Sequence, residues 1–171
     1  FLYMHLMDVH EYLYDADSAV FGSDYSSVYD NSILRTNLVL SEFFDFLAQE
    51  KHLENTVVVI ASDHGEAFGE RGPEGHARFV YRESTQVPLI LSFPFDLPGG
   101  VVVDQPTRNV DIFPTLFDLL GIDGPKEVDG RSQYQAILAA ARQEQPAPAE
   151  GHSIAHLDQN WGRRDTPAVH T

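Results

Sequence analysis

Thr56-Val57-Val58-Val59-Ile60-Ala61-Ser62-Asp63-His64-Gly65-Glu66 is the stretch from which the rest of the chain can be read. Its first half is an unbroken apolar, β-branched run bounded by turn-formers, the pattern of a strand buried on both faces within a parallel sheet. The run stops at Ser62, and Asp63 and His64 follow where the strand passes into a Gly-containing loop. In open α/β sheets ligands bind outside the carboxyl ends of the strands, so a carboxylate and an imidazole side by side there are candidate metal ligands. The plainer account is a turn, with Asp63 bonding its own backbone and Gly65 supplying a positive φ. The tripeptide alone does not choose between them.

On the N-terminal side, Tyr25, Tyr29, Ile33, Thr36, Leu40, Phe43, Phe44 and Leu47 recur at steps of three and four and predict one face of a long helix packed on a sheet. Phe1 to Val9 alternates loosely and reads as a strand that delivers Asp8 and His10 to a site. Strand, helix and strand in succession predict a right-handed parallel crossover. Between them Tyr14 to Ser27 reads as an exposed loop, whose Asp15, Asp17 and Asp24 lack the alternation and bidentate Glu of an EF-hand.

On the C-terminal side, Glu66 to Arg78 contains Gly69, Gly72, Gly75 and Pro73 and predicts a surface loop that closes over a site and carries His76 and Arg78. Val87 to Phe93 is a second buried strand with Pro88 near its start, and Asp96 to Gly100 turns the chain. Asp111 to Leu120 reads as a helix with Ile112, Leu116, Leu119 and Leu120 on one face, Pro114 in its first turn and Gly121 as its stop. For Asp111 a helix-start role worth about 1 kcal/mol is preferred to a ligand role. Ser132 to Gln143 predicts a short last helix, and Gln145 to Gly151 a linker. His152, His156 and His170 in the tail are too irregularly spaced for a metal site, and Trp161 suggests that some of the tail packs.

Taken in order, six segments resemble the sulfatases, within the alkaline-phosphatase-like superfamily. FLYMHLMDVHEY (1–12) resembles a strand ending in an Asp-Pro-His-x-Pro-Tyr type loop, with Val9 and Leu13 where prolines are common. Tyr29-Asp30, a long helix and Leu53-Glu54-Asn55-Thr56 resemble the approach to the family's metal strand. SDHGEAFGERG (62–72) is the most specific piece. GHARFVYRESTQVPLIL (75–91) resembles the segment with a basic residue before Tyr-Glu, and DIFPTLFDLLGI (111–122) and Asp129-Gly130-Arg131-Ser132 resemble the closing helix and the Asp-Gly-x-Ser after it.

The resemblance implies an α/β fold with a mostly parallel sheet and flanking helices. It also implies an incomplete catalytic domain over 1–144 and a linker-like tail over 145–171 that would begin a C-terminal subdomain. It implies metal-assisted hydrolysis of a small-molecule or glycan sulfate ester, and leans toward an exported protein. Asp63 and His64 would hold a divalent cation, calcium first, with manganese, magnesium or zinc as the other candidates. Arg78 would contact the sulfate, with His76 as second choice, since counting back from Tyr81 reaches Ala77 between them. In phosphate-cleaving relatives a later His completes a two-metal site, which leaves a ligand role open for His76. His10 would hydrogen-bond the sulfate or protonate the leaving oxygen, work suited to an imidazole.

The family's nucleophile, a Cys or Ser in Cys/Ser-x-Pro-x-Arg preceded by paired Asp residues, has no counterpart here. There is no Cys, and Ser92-Phe93-Pro94-Phe95-Asp96 has Asp where Arg is needed and follows the metal motif. The chain opens on Phe1 inside an apolar run, so it reads as a fragment whose nucleophile lies upstream; alone it is expected to be inactive and to bind metal weakly. A phosphonate or phosphate ester hydrolase or transferase, and a non-catalytic binding module of the same fold, stand as the alternatives.

Composition narrows the field further. A net charge of −15 argues against nucleic acid as a partner, because phosphate backbones demand an excess of Lys and Arg. The lack of Cys excludes disulfides and thiolate metal sites. At 43% hydrophobic residues the chain can bury a substantial core, yet no segment approaches the roughly 20 apolar residues of a membrane helix.

Overall fold

A computed structural model describes residues 1–94, 100–143 and 153–157, the last five and Gln143 as backbone alone. The turn at Asp96–Gly100 falls almost wholly outside the described residues, as do the linker at 145–151 and His152, Trp161 and His170. The chain divides into two compact units, Phe1–Glu54 and Asn55–Thr171. No described helix is long and apolar enough to cross a membrane.

In the first unit helix α1, Tyr25–Gln49, begins where Asp24 can cap it: the carboxylate accepts from the Ser27 N–H (3.2 Å) and hydroxyl (2.5 Å). Those bonds, the hydroxyl first, hold the Asp24 carboxyl below the usual carboxylate range. The predicted apolar face is half-buried at Tyr25, Tyr29, Thr36, Leu40, Phe43, Phe44 and Leu47, but Ile33 is exposed. Polar residues take the most buried positions of α1, Asn31 and Ser32. Asn31 accepts from the N–H groups of Val20 (3.1 Å) and Phe21 (3.0 Å) and donates to the Gly22 carbonyl (2.9 Å), so one amide seats the preceding loop on the helix. Asp15 serves that loop's own turn, accepting from the Ser18 hydroxyl (2.8 Å), and pairs with Arg35.

Phe1 to Val9 is not a strand. Residues 1–7 are exposed and residues 8–12 form a turn, closed by Glu11 N–H to Met7 O (2.9 Å) and Leu13 N–H to Asp8 O (2.8 Å). A strand is sustained by ladder bonds to a neighbour, and no described segment pairs with this one, so the expected parallel crossover does not form among the described residues.

The second unit is built on a four-stranded sheet in the order β1-β2-β4-β3, with β1 Val58–Ala61, β2 Leu89–Phe93, β3 Val101–Val103 and β4 Ser153–Leu157. β1 pairs antiparallel with β2 (Val59 opposite Leu91, Ala61 opposite Leu89), β2 antiparallel with β4, and β3 parallel with β4. The mostly parallel arrangement expected of the domain is therefore not what these four strands form, and β1 is a half-buried edge strand, not one buried on both faces. The reason lies in the connection. A parallel return needs a crossover, usually a helix, whereas residues 62–88 supply loop and the single turn α2, Arg82–Thr85. The chain leaves and re-enters at the same end of the sheet.

β2 alternates in burial, with Leu89, Leu91 and Phe93 buried, and each contributes about 1.5–3 kcal/mol by leaving water. They join Val101 and Val103 of β3 and Ile137 and Ala141 of helix α4, Tyr134–Gln143. Ile112, Leu116 and Leu119 of helix α3, Ile112–Leu120, pack on the same core, while Leu120, read as part of that face, is exposed. Gly121 ends α3 in the left-handed conformation (φ 63°) as expected of a stop.

Asp111 does more than start a helix. It is buried in the 3₁₀ turn Asn109–Asp111, and its carboxylate accepts from the N–H of Arg108 (2.9 Å), the Arg108 guanidinium (3.0 Å) and the N–H of Arg131 (2.8 Å). One turn on, the buried Thr115 hydroxyl donates to the Asp111 carbonyl (2.6 Å) and accepts from the Gln133 N–H (2.9 Å). Asp129-Gly130-Arg131-Ser132 is thus sewn onto the start of α3. Gly130 fits there because a Cβ would overlap the Val110 carbonyl oxygen.

Candidate active site

Asp63 and His64 lie immediately past β1, in a segment without regular structure whose backbone is tied from several sides. The Asn109 amide donates to the Ser62 carbonyl (2.9 Å), the Ser62 hydroxyl to the His64 carbonyl (2.7 Å), and the Gly65 N–H to the Ser84 carbonyl (2.8 Å). Asp63 turns one oxygen onto the His64 N–H (3.0 Å) and leaves its side chain 78% exposed. The turn role and a ligand role are compatible, since the turn uses only one oxygen.

His64 Nδ1 is 2.9 Å from the Gly65 carbonyl oxygen. A carbonyl only accepts, so Nδ1 carries the proton and, in the neutral ring, Nε2 keeps its lone pair. That nitrogen lies 3.9 Å from the second Asp63 oxygen. Two acceptors facing each other suit a cation between them, and carboxylate oxygen with imidazole nitrogen is a donor pair that divalent ions take.

The loop after Glu66 makes a tight excursion. Phe68 and Glu74 form an antiparallel bridge, the Gly75 N–H donates to the Ala67 carbonyl (2.9 Å), and Ala67 is buried. The chain thereby returns His76 to the strand end, where its Nδ1 meets the Glu66 carboxylate (3.1 Å) and its ring stacks on His64 with centroids 3.9 Å and planes 24° apart. Arg71 anchors the far side, paired with Glu83 (3.2 Å) and set 5.0 Å from the Tyr81 ring centroid. Arg78 is exposed two residues past His76. Of the five candidates the second unit thus carries Asp63, His64, His76 and Arg78 in one connection between β1 and β2; His10 belongs to the first unit, exposed in the 8–12 turn.

Gly65 owes its place to a close approach, not to a positive φ. A Cβ at this position would overlap the Glu83 carbonyl oxygen and crowd that of Gln86 (3.3 Å). Gly65→Ala is expected to destabilise the protein by about 2–3 kcal/mol in denaturant titration, as overpacking against backbone does. An unchanged midpoint would show that α2 yields without cost.

The sequence profile of the sulfatase family matches residues 1–122. The chain belongs to the sulfatase family. An N-acetylglucosamine-6-O-sulfatase of Bacteroides thetaiotaomicron is 28% identical over 132 residues, 77% of this chain and 23% of that protein. Among solved structures, one in complex with its substrate D-glucosamine-2-N,6-O-disulfate aligns at a TM-score of 0.61 and 28% identity, over 74% of this chain and 24% of the other. The phosphonate monoester hydrolase of Silicibacter pomeroyi aligns at the same TM-score and identity, over 74% and 23%. The fold is thus alkaline-phosphatase-like, and the chain spans about a quarter of the length of these relatives. Two residues escaped the sequence reading. Glu66 had a signal, an acid ending the Ser62–Glu66 run; Asn109 had none, because its partner is 47 residues away.

Proposed function

We propose that the protein hydrolyses sulfate esters of small molecules or glycans, with Asp63 and His64 forming part of its cation-holding site. The observation that carries this is the Asp63 and His64 donor pair at the end of β1, inside the stretch matched by the sulfatase family. A bound divalent ion, calcium by family resemblance, manganese or zinc by the imidazole in the set, or magnesium by the carboxylate, would supply charge neutralisation at the sulfuryl oxygens. Asp63 contributes a carboxylate already oriented by its turn, and His64 a nitrogen oriented by the Gly65 carbonyl. Arg78 adds positive charge and paired donors toward the equatorial oxygens, and His76 is the second donor in that segment. His10 serves as the acid for the departing oxygen. The nucleophile falls to the part of the relatives' length that these residues do not span.

Turnover by the full-length protein of an aryl sulfate, an aryl phosphonate monoester and an aryl phosphate tests this reading. Sulfate is expected to be preferred by about tenfold or more in kcat/KM, the scale on which a pocket separates related groups. A preference for the phosphonate would move the protein to the second reading, and no turnover of any of the three would favour a binding module. Chelation is expected to abolish activity and calcium to restore it; restoration by manganese or zinc alone would replace calcium as the ion.

A further inference from the structure

Glu66 places a carboxylate where it is costly to keep one. Its side chain is only 6% exposed, and a buried carboxylate persists when a partner compensates it. The partner is His76 Nδ1 at 3.1 Å, ten residues along the chain, returned by the Phe68–Glu74 bridge and the Gly75 to Ala67 bond. An ionised carboxylate only accepts, so His76 Nδ1 carries the proton and, in the neutral ring, Nε2 keeps the lone pair. The Gly65 carbonyl imposes the same choice on His64, and the two rings lie face to face at 3.9 Å. Both imidazoles are therefore held in one tautomer by acceptors on their Nδ1 side.

We propose that Glu66 is a positioning residue for hydrolysis: it fixes the tautomer and ring plane of His76 so that Nε2, not Nδ1, is the working nitrogen beside His64. This rests on the reading that Asp63, His64 and His76 line the hydrolytic site. Outer partners of this kind commonly govern affinity or activity by about 10–100-fold.

The test uses metal-free full-length protein with ¹⁵N-labelled histidine, at about pH 8 where an ordinary imidazole is neutral. His76 is expected to show the Nδ1–H pattern in wild type and in Glu66→Gln, whose amide oxygen still accepts, and a mixed or Nε2–H pattern in Glu66→Ala. In parallel, kcat/KM for the sulfate ester is expected to fall about 10–100-fold in Glu66→Ala and to recover most of that loss in Glu66→Gln. A wild-type His76 pattern in Glu66→Ala overturns the proposal. A shifted tautomer with unchanged kcat/KM also overturns it, by removing His76 from the reaction. If the wild-type protein hydrolyses no sulfate ester, the functional reading fails by itself while the tautomer still reports whether Glu66 orients His76.

Discussion

His64→Ala is expected to lower kcat/KM for a sulfate ester by on the order of 10²–10³, with a parallel loss of divalent-ion affinity, as when one preorganised electrostatic contact is removed. The size follows from how completely the ring is prepared. Its Nδ1 bonds the Gly65 carbonyl, its backbone N–H Asp63, and its carbonyl the Ser62 hydroxyl, and its Nε2 lies 3.9 Å from the second Asp63 oxygen. Alanine keeps the two backbone bonds and removes the imidazole, with its Nδ1 bond to Gly65 and its stack on His76. Asp63→Asn makes a sharper companion, because its amide oxygen still accepts the His64 N–H while the negative charge is gone. It is expected to show nearly the same loss with an unchanged melting temperature. If either variant retained turnover within about tenfold of wild type, well short of the loss of one electrostatic contact, the pair could not be the cation site.

The second large effect is on stability. Asp111→Ala is expected to cost about 2–4 kcal/mol, measured by denaturant unfolding, because it strands the part-buried N–H groups of Arg108 and Arg131 and the buried side-chain amide of Gln133, and a stranded donor costs up to about 1–3 kcal/mol when fully buried. The Arg108 guanidinium adds little, since its side chain is 48% exposed and returns to water. Asp111→Asn keeps one acceptor and should lose about half as much, by the same desolvation argument. The pH dependence has a definite sign. Burial raises the Asp111 carboxyl, but the Arg131 N–H and the guanidinium and N–H of Arg108 outweigh it and hold the group below its ordinary value. The unfolded chain thus binds this proton more readily. The contribution is complete above the ordinary carboxylate value of about 3.9 and is lost as pH falls through the lower folded value. Wild type and Asp111→Asn should converge in stability at the acid end; a constant gap there would mean that the carboxylate charge is not what holds Arg131.

How far the sequence reached depended on the range of the interactions concerned. The extents of α1, β2 and α3, the Gly121 stop and the adjacency of Asp63 and His64 at a strand end were legible, because caps, periodicity and chain neighbours are properties of consecutive residues. β3 was missed, three valines being too short a run to separate from a loop without the neighbour that pairs with it. Phe1 to Val9 failed in the opposite direction: its alternation was visible, but among the described residues no segment pairs with it to hold it as a strand.

By itself, then, the sequence determined the family, the four candidate residues between β1 and β2, and the local elements that carry them. Tertiary structure alone decided the antiparallel return of β2 beside β1, the clamp of Asp111 on a segment 20 residues away, the Asn109 bond to Ser62, and the stacking of His76 on His64 above a buried Glu66. The physical reason is common to all of them. Each joins groups distant along the chain, where direction, burial and hydrogen-bond partner are set by which surfaces meet and not by which residues follow one another.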